Sequence, residues 1–128
     1  MSQLARLAEQ FRASGLPVAL SVTGSSRELA PGLDLTAYRL VQEGLTNTLR
    51  HAHNPHGAEV AVTYGDNRLE VAVRDDGQSA PDASRLGQNG NGLLGMSERV
   101  TAYGGSLVAR NRPEGGFELL ASLPLEPA

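Results

Sequence analysis

The chain has 128 residues, of which 40% are hydrophobic and 20% charged, with a net charge of −3. That is enough for one domain with its own core, and an acidic excess without a basic block argues against a general nucleic-acid binder. Cysteine is absent, which excludes disulfides and thiolate metal sites and suits a reducing compartment.

Residues 2–14 place Leu4, Leu7, Ala8 and Phe11 at helical spacing, and Gly15-Leu16-Pro17 stops the run. Val18, Leu20 and Val22 then alternate as in a half-buried strand, followed by a loop rich in Ser, Gly and Pro over 24–32. From Asp34, read as an N-cap, a helix runs to about Ala52. Leu35, Tyr38, Val41, Leu45 and Leu49 follow one another at three- and four-residue steps and predict its buried stripe. Strands over 59–64 and 68–75 flank Gly65-Asp66-Asn67, a short polar turn that predicts an antiparallel hairpin.

Residues 77–92 carry four Gly, one Pro and many small polar residues, which reads as a lid or an insert. A helix is expected over 94–103 with Met96, Val100 and Tyr103 on one side, closed by Gly104-Gly105. Strands over 106–110 and 117–123 complete the chain. The order predicts a two-layer α/β sandwich with a mixed, mostly antiparallel sheet and about three helices on one face. A doubly wound parallel sheet fits less well, because two strand pairs read as hairpins.

No run of about 18 apolar residues occurs, and the amphipathic N-terminus is unlike a signal peptide, so a cytoplasmic location without direct membrane contact is expected. All eleven basic residues are Arg. A P-loop needs its Lys to reach the phosphates, so Walker-type nucleotide binding is excluded, and lysine-based covalent chemistry with it.

Three segments carry the chemistry. On the long helix Glu43, Asn47 and Arg50 share a face. An Asn oxygen and a carboxylate are hard ligands suited to Mg²⁺, whereas a solvated face is the plainer reading. Gly44 costs about 1 kcal/mol in a helix interior relative to Ala, so a close neighbour is expected there. Asp75 shares the strand face of Leu69, Val71 and Val73, while Asp76 points away or starts a turn. A carboxylate in an apolar pocket needs donors, and the exocyclic amine of adenine is one; an ordinary Asp-Gly turn is the alternative. Gly90, Gly92 and Gly95 lead into a helix, where backbone N–H groups and the helix N-terminus favour a phosphate without Lys. His51 and His53 face different directions, which disfavours a zinc site with His56.

At these segments the chain resembles the ATP-binding domains shared by DNA gyrase, ninety-kilodalton heat-shock chaperones, histidine kinases and MutL proteins, the Bergerat-type fold. It is most similar to the catalytic ATPase domain of a bacterial sensor histidine kinase of the nitrate/nitrite-sensor subtype. Residues 38–47 with Arg50, His51 and Ala52 resemble that subtype's N box, and residues 92–100 its second glycine box and following helix. The resemblance implies ATP and Mg²⁺ as cofactors, with Asn47 on the metal and Glu43 assisting there or polarising the attacking group. Asp75 would read the adenine amine, with Gly77 admitting the base. Gly90, Gly92, Leu93, Gly95 and Met96 would border phosphates and lid, and Arg50 or His51 would contact phosphate. Ser79 departs from the family's first glycine box, which ends in Gly.

None of the three His suits a phosphoacceptor. The resemblance therefore implies that 1–128 is one ATP-binding domain, with 2–14 following dimerisation helices that lie elsewhere. Its partners would be a homodimeric phosphoacceptor His domain and a response regulator with a LuxR-type output domain. An anti-sigma-factor-type serine kinase and a catalytically silent ATP-binding module are the alternatives.

Overall fold

The computed structural model describes residues 2–25, 28–51, 57–76, 91–113 and 115–125. The elements are α1 (Ser2–Ala13), β1 (Val18–Gly24), α2 (Pro31–His51), β2 (Ala58–Tyr64), β3 (Arg68–Asp75), α3 (Asn91–Ala102), β4 (Ser106–Asn111) and β5 (Phe117–Pro124). The strands form one sheet in the order β1-β2-β3-β5-β4. Only β1 and β2 run parallel; every other neighbouring pair is antiparallel, including the two expected hairpins.

Strand parity decides the layers. Val60, Val62, Tyr64, Leu69, Val71, Val73, Leu119, Ala121 and Leu123 project to one face and are buried with Leu4, Leu7, Leu40, Val41, Leu45, Met96 and Val100 of the helices. Full burial of one such side chain is worth about 1.5–3 kcal/mol, so this seam between layers is the main source of stability. No described helix is long and apolar enough to cross a membrane.

The opposite face carries a row of charge. Glu118 accepts hydrogen bonds from Arg74 Nε and from Arg110 Nε, the latter at 3.0 Å, and Arg74 reaches Glu59 Oε1 at 3.4 Å. Burial by itself would raise the Glu118 carboxyl, but hydrogen bonds from Arg74 and Arg110, and then their charges, outweigh it and hold the group below its ordinary value. The bond Arg74 donates to Glu118 raises the guanidinium in turn.

Three expectations need correction. Helix α2 begins at Pro31, not after an Asp34 cap: the Asp34 N–H already bonds the Ala30 carbonyl at 2.9 Å. Pro suits the first helical position because its missing N–H would have had no partner there. The buried stripe of α2 is Leu33, Ala37, Leu40, Val41 and Leu45, with Gly44 and Thr48, whereas Leu35 and Leu49 are 48% and 47% exposed. Small residues face the sheet because the helix lies close to it. Helix α3 begins at Asn91 rather than near Leu94, so Gly92 sits inside it rather than in a loop before it, and Tyr103 is largely exposed instead of joining Met96 and Val100.

A candidate nucleotide cleft between α2 and the end of β3

Asp75 is the last residue of β3 and shares the inward face of Leu69, Val71 and Val73, as the alternation predicts. It is only 2% exposed. A buried carboxylate is costly unless donors reach it, and here they come from two elements. Thr48 Oγ1 of α2 stands 3.1 Å from Oδ2, and the Phe117 N–H of β5 donates to Oδ1 at 3.2 Å. The Asp75 main-chain carbonyl accepts from Arg112 Nη1 at 3.0 Å. Asp76 is exposed and accepts from the Gly57 N–H at 3.1 Å. Of the two adjacent carboxylates only Asp75 faces the helix layer.

Gly116 completes this end of the strand. Its φ of +96° is a conformation side chains rarely adopt, and a β-carbon there would collide with the Asp75 carbonyl. The β4–β5 hairpin thus rests directly on the residue that ends β3.

Asn47 precedes Thr48 on α2 and is 7% exposed, and its Nδ2 has no hydrogen-bond partner among the described residues. A buried amide with an unpaired polar atom is costly, and a ligand at that position would remove the cost. A half-turn of the amide exchanges Nδ2 for Oδ1, so the same position can offer an oxygen to a cation. Glu43, one helical turn earlier and half-buried, lies on the same side. These groups fit a Mg²⁺ ion that also binds phosphate oxygens.

Gly44 does not face this cleft. A β-carbon on it would stand 2.9 Å from Val73 Cβ, so the glycine serves the close approach of α2 to β3. Of the expected glycine-box residues, Gly92, Leu93 and Gly95 lie in α3, with open space over Gly95, and Met96 is buried. Arg50 and His51 occupy the last turn of α2. Gly77, Ser79, Gly90, His53 and His56 lie outside the described residues. A separate open depression of about 680 Å³ touches Asp75 and Asp76 but includes Glu59 and Arg74 and no residue of α2. Asn47 and Glu43 are not among its lining residues.

Sequence reasoning missed Thr48, Arg112 and the Phe117 N–H. Thr48 had a signal: it lies four residues after Gly44, on the face that a close helix–strand contact requires.

A buried strand-end carboxylate and, on the helix packed against that strand, a buried amide lie on a helix-backed mixed sheet, an α/β sandwich. The chain belongs to the histidine kinase-, DNA gyrase B- and HSP90-like ATPase family, whose model matches residues 32–127. The sensor histidine kinase YxjM of Bacillus subtilis is 40% identical over 113 residues, covering 88% of this chain and 27% of that protein. The histidine-protein kinase/phosphatase UhpB of Salmonella typhimurium is 42% identical over 74 residues, 58% of this chain and 14% of that protein. The solved histidine kinase domain of the blue-light activated kinase EL346 from Erythrobacter litoralis superposes with a TM-score of 0.74 at 24% identity. That match covers 97% of this chain and 60% of the solved one, and it is a likeness of fold. The chain spans about a quarter of the length of relatives such as YxjM and DegS of Brevibacillus brevis.

Proposed function

We propose that this chain is the ATP-binding catalytic domain of a sensor histidine kinase. The observation that carries the reading is the presence, on adjacent elements, of buried, donor-anchored Asp75 and of Asn47, whose amide nitrogen has no partner among the described residues. Asp75 reads the adenine amine. Asn47, with Glu43, would hold Mg²⁺ at the phosphate end. The metal, when bound, neutralises charge on the phosphate oxygens. The first turn of α3 offers backbone N–H groups to the phosphates in place of a lysine; Gly92, Leu93, Gly95 and Met96 border that region.

In the reaction the bond from the γ-phosphorus to the bridging oxygen breaks, ADP leaves, and a nitrogen of a His on a separate dimerisation domain takes the phosphoryl group. Glu43 accepts the proton that nitrogen releases. Helix α1 follows the dimerisation helices, and the phosphoryl group passes on to a response regulator with a LuxR-type output domain. The resemblance of residues 38–47 and 92–100 to the nitrate/nitrite-sensor subtype, together with the identity to UhpB and DegS, supports that assignment.

Titration calorimetry of wild type and Asp75→Asn with ATP and Mg²⁺ tests the adenine assignment. Binding falls at least about tenfold in the variant, the scale of one lost bond to a charged acceptor; equal affinities would refute the assignment. Phosphohistidine on a cognate dimerisation fragment, formed from labelled ATP, tests the kinase reading.

A further inference from the structure

We infer that Thr48 is a positioning residue for the nucleotide site. Its hydroxyl orients the Asp75 carboxylate toward the base, and its place next to Asn47 ties that carboxylate to the phosphate end. The inference rests on the adenine reading of Asp75 given above.

The Thr48 hydroxyl has one proton and two acceptors in reach. Its Oγ1 is 3.1 Å from the Gly44 carbonyl and 3.1 Å from Asp75 Oδ2. A threonine inside a helix ordinarily gives its proton back to the carbonyl four residues earlier. A carboxylate is the stronger acceptor, because hydrogen bonds to charged groups are about twice as strong as neutral ones. The proton therefore goes to Asp75.

A second anchor makes this bond consequential. The Phe117 N–H holds Oδ1 from the opposite side of the strand end. One anchor leaves a carboxylate free to swing about its last torsion, whereas two donors on different oxygens, from α2 and β5, fix its plane.

The seam between α2 and β3 sets the distance from base to phosphate. Gly44 meets Val73 and Thr48 meets Asp75. Four residues of helix rise about 6 Å and two residues of strand about 6.6 Å, so the contacts stay in step. Asn47 is one residue from the end of this seam. Loss of the hydroxyl releases the carboxylate and loosens its link to the helix bearing Asn47.

The test measures binding of ATP and of purine riboside triphosphate, which lacks only the 6-amino group, to wild type, Thr48→Val and Thr48→Ser. Wild type prefers ATP. Thr48→Val, similar in shape without the hydroxyl, loses roughly tenfold in ATP affinity while its affinity for the deamino analogue stays nearly constant. Thr48→Ser retains the preference. Equal preference in Thr48→Val and wild type overturns the inference, as does an equal loss for both ligands, which marks a merely structural role. A wild type without preference for ATP overturns the adenine reading of Asp75 and this role together. Should Thr48→Val lack a cooperative thermal transition, Thr48→Ala carries the same comparison.

Discussion

Gly44 and Val73 are in such close contact that a single added methyl group on the glycine would stand 2.9 Å from the valine Cβ and Cγ1. Helix propensity alone favours Ala over Gly by about 1 kcal/mol. The collision dominates, since overpacking costs about 1–3 kcal/mol. Gly44→Ala therefore lowers the midpoint of urea unfolding, and Val73→Ala in the same chain restores part of it. A Gly44→Ala midpoint at or above wild type would show that α2 can lift from the sheet at no cost.

The Glu118 carboxyl is held below its ordinary value, so its contribution to stability is present above pH 4.5 and is lost as pH falls through its folded-state value. Glu118→Gln removes the charge between Arg74 and Arg110 and destabilises the domain at neutral pH by about 1.5–3 kcal/mol. Urea midpoints compared at pH 7 and pH 3 should show a smaller acid loss in the variant than in wild type.

Asn47→Ala tests the metal assignment. Chelation of Mg²⁺ weakens ATP binding by wild type, whereas the variant binds weakly with or without chelator, at least about tenfold below metal-loaded wild type. A variant that keeps the full Mg²⁺ dependence places the ion on other groups.

Gly116→Ala combines an unfavourable φ with a collision against the Asp75 carbonyl. Strain of this kind costs on the order of 1–3 kcal/mol. The variant melts at lower temperature and also loses ATP affinity, because the strain falls on the strand end that carries Asp75. Gly115→Ala, with positive φ but open space around it, lowers the melting temperature and leaves affinity unchanged.

Much of this architecture is legible in the chain because it is written at short range. The bounds of β3, the Gly65-Asp66-Asn67 hairpin and the inward aim of Asp75 follow from two-residue alternation. The face of α2 was misjudged because large side chains were taken to mark burial. Leu35 and Leu49 face outward, and the contact surface is built on Ala37, Gly44 and Thr48, whose smallness lets the helix approach the sheet. The donors to Asp75 lie beyond sequence reading for another reason. Thr48 and Phe117 are separated from it by 27 and 42 residues, and no period or spacing connects them.

The second of those donors has a consequence for how the protein is made. Strand β5 lies between β3 and β4, yet it is the last strand to be synthesised. A ribosome releases α2 and β3 well before Phe117 emerges. In that interval β3 is an open sheet edge, and Asp75 lacks the Phe117 donor. A nascent chain halted before β5 therefore leaves β3 without its neighbour and Asp75 without the Phe117 donor.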